Sequence, residues 1–176
     1  MTRIYTMTKK FQRRYYRSLR EVGRDVAWPL RHRQKLRAAM SGELVSTAFR
    51  ERLMLAVTAV NDCRYCSYFH AKEALRANLP ESEIRLMLEG DLHQAPADEL
   101  PALFYAQHWA ESDGRPDPIA RQTLIETYGD EKAEAIEVVL RMIRTGNLGG
   151  NTVDYWLHRL SFGRLGESQR DRAKTQ

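Results

Sequence analysis

Apolar positions recur at three- and four-residue intervals along most of the chain. Such spacing marks amphipathic helices, and no segment alternates β-branched and polar residues between turns as a strand would. Phe11, Tyr15, Leu19, Val22 and Val26 form a stripe that predicts a helix over residues 8–26, with arginines on its other faces. A second helix is expected from Pro29 to Met40, ended by Ser41-Gly42. The next should run from Ser46 to Asn61, with Phe49, Leu53, Ala56, Val57 and Val60 facing inward.

Asp62 is the expected N-cap of a helix reaching Asn78, and Pro80 suits the first turn of the one that follows, stopped by Gly90. Further helices are expected over residues 98–112 and 118–128. The cleanest amphipath lies over residues 130–145, where Ala133, Ile136, Val139, Leu140 and Ile143 share a face. Gly146 and Gly149-Gly150 are read as a break, after which residues 152–160 are helical again. The polar residues from Gly163 onward read as a frayed tail. The organisation expected is a basic helical segment at 1–40, a helical core at 41–162 and a disordered tail at 163–176.

Charge is spread unevenly over the 176 residues. The first forty hold twelve Lys and Arg against two acids, Glu21 and Asp25, whereas the remainder holds sixteen basic and twenty-one acidic residues. The basic segment is read first as a solvated helix face; nucleic acid or an acidic lipid surface is the alternative target, and Phe11, Tyr15, Tyr16 and Trp28 interleave with its arginines. The N-terminus has no apolar signal core and no stretch reaches the length of a membrane span, so the cytoplasm is the expected compartment.

The chain has two cysteines, Cys63 and Cys66. A secreted disulfide scaffold would carry more, at wider spacing, whereas a lone close pair in a reducing compartment is more often redox-active or metal-binding. On a helix, residues three apart face the same side with Cα atoms about 5–6 Å apart, within disulfide range. A thiol in the first turn meets free N–H groups and the positive end of the helix dipole, which favour the thiolate. The helix terminus thus favours Cys63 as the more acidic thiol and the histidine favours Cys66, and the sequence does not choose between them.

His70 lies four residues beyond Cys66, on the same stripe and within reach of the thiol proton. Glu51 is eleven residues before Asp62 and His70 eight after it, so an antiparallel hairpin turning there brings the carboxylate beside the imidazole. The relay expected is Glu51 to His70 to Cys66, with Cys63 as second thiol, and Tyr65, Tyr68 and Phe69 as core or pocket rim. A zinc site is disfavoured because Cys63, Cys66 and His70 supply three of the four ligands structural zinc wants. Trp109 and Trp156 read as packing residues, and Asn147, Asn151 and Asp154 as a turn and N-cap or the lining of an oligomer contact.

Glu, eleven residues, Cys-x-x-Cys, three residues and His is a pattern that resembles the AhpD-like, or carboxymuconolactone decarboxylase-like, proteins, most strongly over residues 45–90. The resemblance implies an all-α helical bundle built around a helical hairpin and assembled as a homotrimer or higher oligomer. It implies an alkylhydroperoxidase-like enzyme that reduces hydroperoxides or a peroxiredoxin partner, with Cys66 attacking and Cys63 resolving. The implied reductant is a dithiol, in the best-known members a lipoyl-bearing protein. Typical members carry His directly before the second cysteine, where this chain has Tyr65. The decarboxylases proper typically lack the cysteine pair, which argues against lactone decarboxylation. No Gly-x-Gly-x-x-Gly accompanies the site, so no flavin or nicotinamide cofactor is expected.

Overall fold

The computed structural model describes residues 10–173, and within them every regular element is helical. In chain order these are α1 (Leu19–Arg31), α2 (Arg33–Met40), α3 (Thr47–Asn61), α4 (Arg64–Arg76), α5 (Glu81–Glu89), α6 (Leu100–Glu111), α7 (Pro118–Tyr128), α8 (Asp130–Leu160) and α9 (Gln169–Ala173). Helix α3 is the axis of the bundle and packs against α4, α5, α6 and α8. Its inward stripe is therefore a wrap: Leu53, Leu55, Ala56 and Val57 are all inaccessible to solvent. Ser46 starts it by accepting the Phe49 N–H at 3.1 Å, the local bond expected of a serine cap.

Three expectations change. First, the helix expected from residue 8 begins at Leu19. Ser18 is its N-cap, accepting from the Glu21 N–H at 3.3 Å, while the Glu21 carboxylate accepts from the Arg17 N–H at 3.0 Å. Before this reciprocal cap, residues 10–18 run as a non-helical strap across α8. Phe11 packs edge-on against Tyr15 and Tyr155, Tyr15 stacks on Tyr155, and Leu19, placed in the buried stripe by its spacing, is exposed. The part of the expected helix over residues 8 and 9 lies outside the described residues. Helix α1 also continues through Pro29 and ends at His32. Ala39 of α2 belongs to the common core, so residues 33–40 are not a separate segment.

Second, α8 is one continuous helix of 31 residues, about 46 Å long at 1.5 Å per residue, running straight through Gly146, Gly149 and Gly150. Third, the tail folds back over residues 163–173. Ser168 donates to the Asp62 carboxylate at 2.5 Å, and Arg170 donates to the carbonyls of Ala59 and Leu88 at 2.6 Å each. Residues 174–176 of that expected tail lie outside the described residues. No helix of the described residues is long and apolar enough to cross a membrane.

Candidate active site

The site begins at the corner between α3 and α4. Asp62 adopts the left-handed conformation (φ 52°, ψ 46°) and its N–H closes α3 on the Thr58 carbonyl at 2.8 Å. Aspartate tolerates this region better than most residues. One left-handed residue reverses the chain, and Cys63 follows in an extended conformation as the N-cap of α4. The cap expected at Asp62 thus falls one residue later, on the thiol itself. Cys63 Sγ accepts the Cys66 N–H at 3.3 Å, doing the work usually done by a serine or aspartate oxygen.

Cys63 is wholly buried and Cys66 only partly so; both are free thiols. A hydrogen bond between the two sulfurs lowers the Cys63 pKa below the ordinary thiol value against the opposing effect of burial, helped by the N–H groups of Cys66 and Tyr65. The same bond, then burial and the neighbouring Cys63 charge, raises that of Cys66, opposed in part by an Asn147 side-chain hydrogen bond. The two thiols titrate as a coupled pair, shifted downward at Cys63 and upward at Cys66. The bond between the sulfurs, with the free N–H groups at the start of α4, favours Cys63 as the more acidic thiol.

Glu51, in the second turn of α3, is buried, and its Oε2 lies 2.8 Å from His70 Nδ1. Its other oxygen stands 3.9 Å from Arg50 Nε. Arg52, the other basic neighbour, turns away to Glu83 and Glu99. With Nδ1–H donating to the carboxylate, the neutral imidazole keeps Nε2 as a proton acceptor. The carboxylate and imidazole therefore meet across the hairpin as the spacing required.

Cys66 and His70 open onto one cavity of about 610 Å³. Its walls are Met40 from α2, Met54 from α3, Tyr65 and Phe69 from α4, and Met142, Ile143 and Val153 from α8. Tyr65 and Phe69 line it as expected; Tyr68 does not. Two residues beyond Cys66, Tyr68 lies about 200° round the helix and is exposed. Trp109 is buried in the core, but Trp156 is half exposed.

Helix α8 supplies the part of the site that the sequence reading missed. A Cβ on Gly150 would lie 2.7 Å from Cys63 Sγ and 3.2 Å from the Tyr65 ring, so only glycine lets α8 pass this close to the thiol. On either side stand buried polar residues. Asn147 donates to Thr58 Oγ1 and accepts from Asn61 Nδ2, each at 3.1 Å. Asn151 donates to the Asn61 carbonyl at 2.8 Å, satisfying one of the last carbonyls of α3.

Asp154, inaccessible to solvent, accepts from Tyr65 Oη at 2.9 Å, Arg64 at 2.7 Å and Arg13 at 2.9 Å. Arg13 also donates to Asn151, to the Asp62 carbonyl and to the Gly166 carbonyl, so strap, tail and α8 converge on the turn that carries Cys63. These asparagines and Asp154 are thus interior supports of the thiol corner rather than a turn or an oligomer surface. The signal was present: Ile143, Asn147, Asn151, Asp154 and His158 continue the buried stripe of α8 at helical spacing, with polar residues in place of apolar ones. Among the described residues no three His, Cys, Asp or Glu side chains converge to hold a metal ion.

Residues 27–112 match the family model of the Carboxymuconolactone decarboxylase family. That stretch contains Glu51, Cys63, Cys66 and His70 and excludes Gly150, Asn147 and Asp154. No curated protein and no solved structure matches the chain.

Proposed function

Because the chain belongs to the carboxymuconolactone decarboxylase family, which includes the AhpD-like proteins, we propose that it is a thiol-dependent peroxidase acting on organic hydroperoxides. The observation that carries this reading is the pairing of two adjacent thiols with a histidine whose second nitrogen is held by a buried carboxylate. The apolar, methionine-rich cavity beside Cys66 supports a substrate with an apolar group on the peroxide. The cysteine pair argues for the redox branch of the family over decarboxylation.

In the proposed reaction His70 takes the Cys66 proton, relieving the hydrogen bond that holds it on the thiol. The Cys66 thiolate attacks the terminal peroxide oxygen; the O–O bond breaks, the sulfur is oxidised to a sulfenic acid, and the departing alkoxide takes the proton from His70. Cys63, the more acidic thiol, attacks the Cys66 sulfenic sulfur; the S–S bond forms and hydroxide leaves as water with one proton. An external dithiol, the lipoyl group of a partner protein or an equivalent, reduces the disulfide through a mixed disulfide. Glu51 holds the imidazole in the accepting tautomer. Exposed Trp156 and Leu160, one turn apart on α8, would give the homo-oligomer of this reading an apolar contact.

The test is steady-state reduction of cumene hydroperoxide with dihydrolipoate. Cys66→Ser should lose turnover to the uncatalysed background. Cys63→Ser should consume one equivalent and stop as a sulfenic acid that a dimedone probe captures. Full turnover in Cys66→Ser removes the assignment.

A further inference from the structure

On the opposite side of α8 from the thiol cavity lies a second concavity. Met142, Gly146, Gly150 and Val153 face the thiols, whereas Arg144 and Leu148 face this cleft. It has two lobes, of about 790 and 290 Å³, which share Arg24, Asp113, Arg115 and Arg144. The strap of residues 10–18 forms one wall, α1 another, and the corner after α6 the third.

The fold neutralises only part of the positive charge that lines the cleft. Arg144 is held by Asp25 at 2.9 Å and by Asp113 at 2.6 Å, and Arg24 shares Asp25 at 3.1 Å. Arg14 spends its guanidinium on the carbonyls of Ala110 and Glu111 and so keeps its charge unpaired. Among the described residues no ion pair joins Arg14, Arg17 or Arg115 to a carboxylate. A merely solvated basic helix face would be convex and would spread its charges. Here guanidinium groups from the strap, α1, the corner after α6 and α8 line one concavity beside the rings of Phe11 and Tyr15, and they outnumber the carboxylates of Glu21 and Asp113 that share it.

We propose that this cleft binds a small oligophosphate, with linked phosphate groups set between Arg17 and Arg115. Guanidinium forks match phosphate oxygens in geometry and charge. The volume is that of a ligand pocket, about 300–1,000 Å³, rather than of a flat surface for a membrane or a duplex. The site is separate from the thiols and does not depend on the redox reading.

The test is calorimetric titration of the full chain, as the Cys66→Ser variant so that thiol chemistry plays no part, with inorganic triphosphate and, in a second arm, adenosine triphosphate. Saturable binding of triphosphate that weakens with added salt is expected, and R17E/R115E should lose about tenfold or more in affinity. Both residues are exposed and their side chains unpaired, so a circular dichroism spectrum like that of the parent is expected. R17K/R115K should retain most of the binding. Tighter binding of the nucleotide would identify a base stacked on the Phe11–Tyr15 wall, and equal binding would identify the phosphate chain alone. Absence of triphosphate binding at low salt, unchanged affinity in R17E/R115E, or retention on phosphatidylserine vesicles without triphosphate binding would overturn the proposal.

Discussion

The α3–α4 hairpin and the middle of α8 border the same thiol pair, yet they contribute in opposite ways. The hairpin carries the groups of the proposed relay: Glu51 on one arm, Cys63 at the corner, Cys66 and His70 on the other. Helix α8 carries no reactive group. It contributes a missing side chain at Gly150 and three buried polar residues, Asn147, Asn151 and Asp154. The hairpin determines which chemistry is available, and α8 fixes where the sulfurs sit and how much of them meets the cavity. The family match covers the first and stops before the second.

Breaking the α8 side should unsettle the fold before it touches the chemistry. Asp154→Ala takes one of two carboxylates from buried Arg13, leaving Asp171 at 3.0 Å, and frees Tyr65; the cost should approach the lower end of the about 3–5 kcal/mol that breaking a buried pair outright carries. Urea denaturation should show that loss, and thiol reactivity in the surviving folded protein should rise as the corner loosens.

Breaking the hairpin side should do the reverse. Glu51→Gln keeps the shape and removes the charge that orients His70, so turnover should fall by about tenfold to a hundredfold, with stability changed far less. A pH–rate profile whose limb moves in Glu51→Gln separates a role in the relay from one in packing.

The smallest effects sharpen the contrast most, because they come from adjacent positions on one helix. Gly149→Ala meets nothing within 4 Å and should stabilise α8 by about 0.5–1 kcal/mol, the ordinary helical preference for alanine. Gly150→Ala gains the same preference but drives its Cβ into Cys63 Sγ, so it should come out destabilising by about 1–2 kcal/mol. Thermal denaturation of the two variants side by side should shift in opposite directions.

The same contrast explains what the sequence made legible. Glu51, Cys63, Cys66 and His70 are tied by local spacing and by a single reversal, so helical geometry alone was enough to bring them together. The cap fell on Cys63 rather than Asp62 because the chain reverses through a left-handed residue, which spacing does not encode. The glycines of α8 read as a break because their cause, a sulfur on a helix distant in sequence, lies outside any local window. In the strap, Phe11, Tyr15 and Leu19 mimic a helical period, whereas Arg13 is committed to Asp154, more than a hundred residues away.

Cys63 and Cys66 are proposed to form one redox couple. The direct measurement is the intact mass and free-thiol content of the reduced protein after one equivalent of cumene hydroperoxide. Loss of two hydrogens per chain, disappearance of both thiols, and restoration of both by dihydrolipoate are expected. An unchanged mass with both thiols still titratable, while the protein remains folded, would contradict it.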